Sequence, residues 1–72
     1  MIKDKLIKAL RKKYEADMET ALATIDIYLA NSVGIGEHPQ HIDEIDKQFQ
    51  KIADAQEKLQ AIKDFREPGH AL

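Results

Sequence analysis

His38 and His41 stand three residues apart in this 72-residue chain, with Glu37 and Asp43 beside them. Three-residue spacing on a helix turns two imidazoles to one side, and two imidazoles with a carboxylate can hold zinc. A mononuclear site needs a third or fourth rigid ligand, and only Glu37 or Asp43 is near. The plainer role for His38, just before Pro39, is to help cap the following helix. No metal and no cofactor are therefore expected.

The remaining chemistry-bearing groups are equally sparse. Gly34-x-Gly36 lacks a third glycine, a Lys-Ser/Thr pair and a preceding strand, so neither the dinucleotide fingerprint nor the phosphate loop is matched. Its glycines suit a turn. Asp17, Asp26, Asp54, Glu57 and Asp64 are scattered at helical spacing. Asp43 with Lys47 and Asp54 with Lys58 have the four-residue separation of surface pairs, each contributing a few tenths of a kcal/mol. There is no cysteine, hence no disulfide and no thiolate ligand. No Ser-His-Asp or Cys-His set is available, and two helices offer no deep cleft in which to desolvate an acid. The expectation is a protein that is not an enzyme.

A basic cluster is the sharper signal. Residues 1–13 hold Lys3, Lys5, Lys8, Arg11, Lys12 and Lys13 against Asp4, a net +5, while the rest carries five basic and twelve acidic residues, a net −7. Positive charge at a helix start opposes the helix dipole, so something besides helix stability favours it. Three readings stay open. The cluster could bind nucleic acid or an acidic protein partner. It could touch a membrane surface through Ile2, Leu6, Ile7 and Leu10 among the cations, the least favoured reading. Or an antiparallel fold could set Asp64 and Glu67 alongside it and neutralise it in cis.

The elements that must carry these groups are two apolar-periodic stretches around one break, Asn31 to Gln40. In the first, Ile7, Leu10, Tyr14, Met18, Ala21, Ile25 and Leu29 follow steps of three and four, widened by Leu22 and Tyr28. In the second, Ile42, Ile45, Phe49, Ile52, Gln56 and Leu59 form a narrow coiled-coil-like seam that shifts to Ile62 and Phe65 beyond Leu59. Gly34 suits the left-handed residue closing the first helix, with Ile35 folding back, and Pro39 suits the first turn of the second. Asp43, Glu44 and Asp46 would favour that helix's dipole. One unit is expected over residues 1–72: helix at about 2–32, turn at about 33–38, helix at about 39–66, and a short tail over 67–72.

A short connection makes the helices antiparallel neighbours, with facing positions summing to about 70. Leu29 is then expected opposite Ile42, Ile25 opposite Ile45, Leu22 opposite Phe49, Met18 opposite Ile52, and Tyr14 opposite Gln56. That last layer is either a phenol–amide hydrogen bond or a glutamine turned to solvent. Ile2, Ala9, Ala16, Ala23 and Ala30 repeat every seven residues on the far side of the first helix, with Ile27 beside them. A chain this short buries little surface alone, so an all-α hairpin that dimerises into a four-helix bundle is expected.

The segment TIDIYLANSVGIGEHPQHIDEIDKQFQKIADAQEKL resembles short uncharacterised proteins of marine tailed bacteriophages, including cyanophages. The resemblance centres on the N-x-x-G-I-G-E-H-P turn, here Asn31, Gly34, Ile35, Gly36, Glu37, His38 and Pro39, and extends over the flanking helices. It implies no activity and carries over no site residues. It does imply a protein of the infected host's cytoplasm or of the virion. No 18-residue apolar run occurs, and the first fifteen residues lack the uninterrupted apolar core of a secretory signal. The expected role is self-association and protein-partner binding, as an accessory or host-interaction protein. The alternatives are a small nucleic-acid-binding accessory protein using the basic end, and a virion decoration or assembly protein.

Overall fold

The computed structural model describes residues 2–31 and 39–66, which form two α-helices, α1 (Ile2–Asn31) and α2 (Pro39–Arg66), packed against each other; there is no strand among them. Neither helix has an internal glycine or proline, and Pro39 opens α2, where a missing N–H costs nothing. Gly34, Gly36, Glu37 and His38 lie outside the described residues. Asp43, Glu44 and Asp46 sit beyond the first turn of α2, which holds no acidic residue, so they lie where the dipole effect has largely faded.

With 30 and 28 residues the helices are closely matched in length, and the molecule measures 53 × 22 × 12 Å. Twelve ångströms is the thickness of one helix with its side chains. The hairpin is therefore a single layer, and both of its broad faces are open.

Ile7, Arg11, Tyr14, Met18, Ala21, Ile25 and Tyr28 of α1 are all buried or half-buried, at alternating steps of four and three. In α2 the same holds for His41, Ile45, Gln48, Ile52, Ala55, Leu59 and Ile62. Among the described residues only Ala21, Ile25, Ala55 and Gln48 are buried, and no large side chain is fully enclosed. At the turn end of the seam the Tyr28 and His41 rings meet, with centroids 5.4 Å apart and planes tilted by 60°. Those two positions sum to 69, the register of an antiparallel pair folded near residue 35.

This seam differs from the one the apolar pattern suggests. Ile45, Ile52 and Leu59 take part as expected, but Ile42, Phe49 and Gln56 are exposed, and the residue before each of them faces α1 instead. Leu10, Leu22 and Leu29 are likewise exposed, so the layers Leu29–Ile42 and Leu22–Phe49 do not lie inside the hairpin. Tyr14 does not meet Gln56; the ammonium groups of Lys58 and Lys13 stand 5.3 and 5.8 Å from the centre of its ring.

Two physical causes account for the rotated phase. Following Ile42, Phe49 and Gln56 down α2 leads to Lys63, whereas His41, Gln48 and Ala55 lead to Ile62, which lines one recess with Ile7 and Phe65 at the open end. The shift expected only after Leu59 thus holds along the whole of α2. The small side chains of Ala21 and Ala55 also let the helix axes approach, where Phe49 would hold them apart.

Candidate interaction surfaces

In an antiparallel helix pair, the residues just before the seam positions flank one side of the seam in both helices, and those just after flank the other. This gives the hairpin two unlike broad faces.

The first is an open polar groove of about 410 Å³, lined by Tyr14, Asp17, Thr20, Thr24, Gln48, Lys51, Asp54 and Lys58, with Ala21 and Ala55. The groove explains how Gln48 is accommodated at 8% exposure, because its side chain borders this open groove instead of an enclosed apolar core. Three of the groove's polar side chains, those of Asp17, Thr24 and Asp54, are engaged within their own helix. Lys13 Nζ donates to Asp17 Oδ2 at 3.0 Å, Thr24 Oγ1 donates to the Thr20 carbonyl at 2.8 Å, and Gln50 Nε2 donates to Asp54 Oδ1 at 2.9 Å. The expected pairs Asp54–Lys58 and Asp43–Lys47 are replaced by Gln50–Asp54 and by Lys47 with Glu44 at 3.3 Å. Both ion pairs are solvent-exposed, with side chains 38–65% accessible, and each contributes well under 1 kcal/mol.

The opposite face carries four of the large apolar side chains that the seam leaves out; Leu6, Leu10, Ile27 and Phe65 are exposed on the groove side. Leu22, Leu29, Ile42 and Phe49 each follow a seam residue and are 44–71% exposed. Leu22 falls beside Phe49 and Leu29 beside Ile42 by the antiparallel register, so the four make one patch in the half of the hairpin nearest the turn. Toward the open end the same positions are taken by Glu15 with Gln56, then by Lys8 with Lys63. Read from turn to open end, the face runs apolar, apolar, polar, basic.

The six residues of the N-terminal cluster are not gathered on one face. Arg11 is half-buried in the seam. Lys3 stands on the groove side, with its ammonium 6.0 Å from the Phe65 ring, and Lys13 is drawn to Asp17 and Tyr14. Lys5, Lys8 and Lys12 remain exposed toward the apolar face. Asp64 accepts from Gln60 at 2.8 Å instead of from a lysine of α1, and Glu67 lies outside the described residues.

Among the described residues no group of three or more His, Cys, Asp or Glu could hold a metal ion, and no helix is long and apolar enough to cross a membrane. No family model, curated protein or solved structure matches the chain. Its own surfaces therefore carry the functional reading. Reading apolar residues along each helix separately missed the patch, because it treated Leu22, Leu29, Ile42 and Phe49 as core. The available signal was that all four sit one position after small or polar residues, Ala21, Tyr28, His41 and Gln48, that could themselves form the seam.

Proposed function

We propose that the protein is a non-enzymatic helical hairpin that works by association, with itself and with a protein partner. The observation that carries this reading is the single helical layer in which no large side chain among the described residues is fully enclosed. Globular domains are built from at least two packed layers around a core, and this chain supplies one. A homodimer, closing into a four-helix bundle, is the commonest symmetric completion. The resemblance of the N-x-x-G-I-G-E-H-P turn to proteins of marine tailed phages supports an accessory or host-interaction role in an infected cell, or a place in the virion.

Sedimentation at tens of micromolar is expected to give a dimer or larger species, with a melting temperature that rises with concentration. A monomeric mass at every concentration, with a concentration-independent melt, overturns this reading.

A second reading, binding of nucleic acid, draws on the exposed Lys5, Lys8 and Lys12 together with Lys63. It is the weaker one, since the cluster is divided between faces and the rest of the chain is acidic, which repels a polyanion.

A further inference from the structure

We infer that the turn-proximal patch of Leu22, Leu29, Ile42 and Phe49 is the docking surface for a second copy of this chain, and that the two copies meet antiparallel, turn half over turn half, with their basic ends pointing away from each other. The inference rests on the self-association proposed above and adds the face and the orientation.

Area identifies the occupant. A compact monomer of 8.2 kDa exposes about 4,500 Å² by the usual scaling of surface with mass. This chain exposes 5692 Å², an excess of roughly 1,200 Å². A standard specific interface removes about 800 Å² from each partner, so the excess matches what one dimer contact covers. The patch also gathers four large exposed apolar side chains in two facing layers, whereas Leu6, Leu10 and Phe65 on the other side stand among Lys3 and Lys58. The polar groove on the other face is lined by charged and hydroxyl side chains that would have to be desolvated. The alanine stripe on the far side of α1 offers little area per residue, and alanine is already favourable there for an isolated helix.

Charge fixes the orientation. If the two hairpins lay side by side with turns at the same end, the Lys8–Lys63 layer of one would face the same layer of the other, placing four ammonium groups together. A two-fold axis between the two apolar layers avoids this. It sets Leu22 against the second copy's Leu29 and Phe49 against its Ile42, and it leaves the lysine layers at opposite ends in solvent. Like charges facing each other across an interface are disfavoured, whereas pairing apolar layers has no such cost.

The test uses the full chain. Phe49→Lys and, separately, Ile42→Lys are expected to raise the dimer dissociation constant at least 100-fold while keeping far-UV helix content at low concentration, because both side chains are already exposed in the single hairpin. Ala16→Lys, on the alanine stripe, is expected to leave it within about threefold. With no native cysteine, Ala9→Cys carries one spin label per chain. An axis near residue 25 places the two labels about 50 Å apart along the helices, against roughly 30 Å for turns at the same end. A wild-type dimer that survives both lysine variants overturns the assignment of this face while self-association stands. A label separation near 30 Å overturns the orientation and with it the inference. A wild-type chain that is monomeric throughout overturns both the inference and the self-association beneath it.

Discussion

Among the described residues Ile25 is the only large side chain of the buried apolar set, at 5% exposure, and truncating it measures how much the seam holds. Ile25→Ala removes three carbon groups. At about 0.8 kcal/mol per buried methylene the transfer loss is roughly 2.4 kcal/mol, and incomplete collapse around the gap raises the total to about 2–4 kcal/mol. Ile25→Val, which removes one group and leaves a folded reference, is expected to cost about 0.5–1.5 kcal/mol. Phe49→Ala is the comparison. At 55% exposure it retains less than half of its burial in the single hairpin, so about 1 kcal/mol is expected at concentrations where chains are dissociated. Urea titrations followed by far-UV circular dichroism at low micromolar protein give all three values, and each kcal/mol should move the melting temperature by about 4–8 °C. A cost below about 1 kcal/mol for Ile25→Ala, or a Phe49→Ala cost equal to it at low concentration, would refute the helical phase on which both faces depend.

Gln48→Leu replaces the buried polar seam residue with an apolar one of similar size; a rise in melting temperature of several degrees is expected, together with a broader distribution of oligomers in sedimentation as a register constraint is lost. Changing Lys5, Lys8 and Lys12 together to glutamine tests the polyanion reading: three phosphate contacts would give a log–log salt slope near −2.7 on duplex DNA, so a gel shift at about 100 mM salt should disappear in the triple variant. No retardation of the wild type at high micromolar protein, the expected result, leaves association between proteins as the working function.

The two helices and their antiparallel pairing were legible because the apolar spacing is long, free of breakers and interrupted once. Ile25, Ile45, Ile52 and Leu59 were legible as seam residues because they belong to either phase of the pattern. The choice between Phe49 and Gln48 was not. Adjacent stripes on a helix differ by one residue, and ranking residues by polarity favours Phe49 over Gln48 and Ile42 over His41. What favours the observed phase is the small size of the buried Ala21 and Ala55, which lets two helices approach, and continuity to Ile62 at the open end. Neither is local to the stripe being ranked. The patch was hidden by the same step, since residues assigned to a core are not considered as surface. The division of the basic cluster followed from Arg11 lying on a seam position, which becomes visible only once that phase is fixed.

The ring contact between Tyr28 and His41 also bears on the order of events in folding. These residues are separated by thirteen positions, so their encounter closes a short loop, an event of about 10–100 ns for ten residues. Each later layer, Ile25 with Ile45, then Met18 with Ile52, then Ile7 with Ile62, joins residues further apart in sequence but already held close by the layer before. The hairpin can therefore close like a zip from the turn outward and open in the reverse direction, starting where Ile2 and Leu6 project into water. Whatever engages the basic end meets the part of the molecule that loosens first, while the apolar patch lies over the layers that open last.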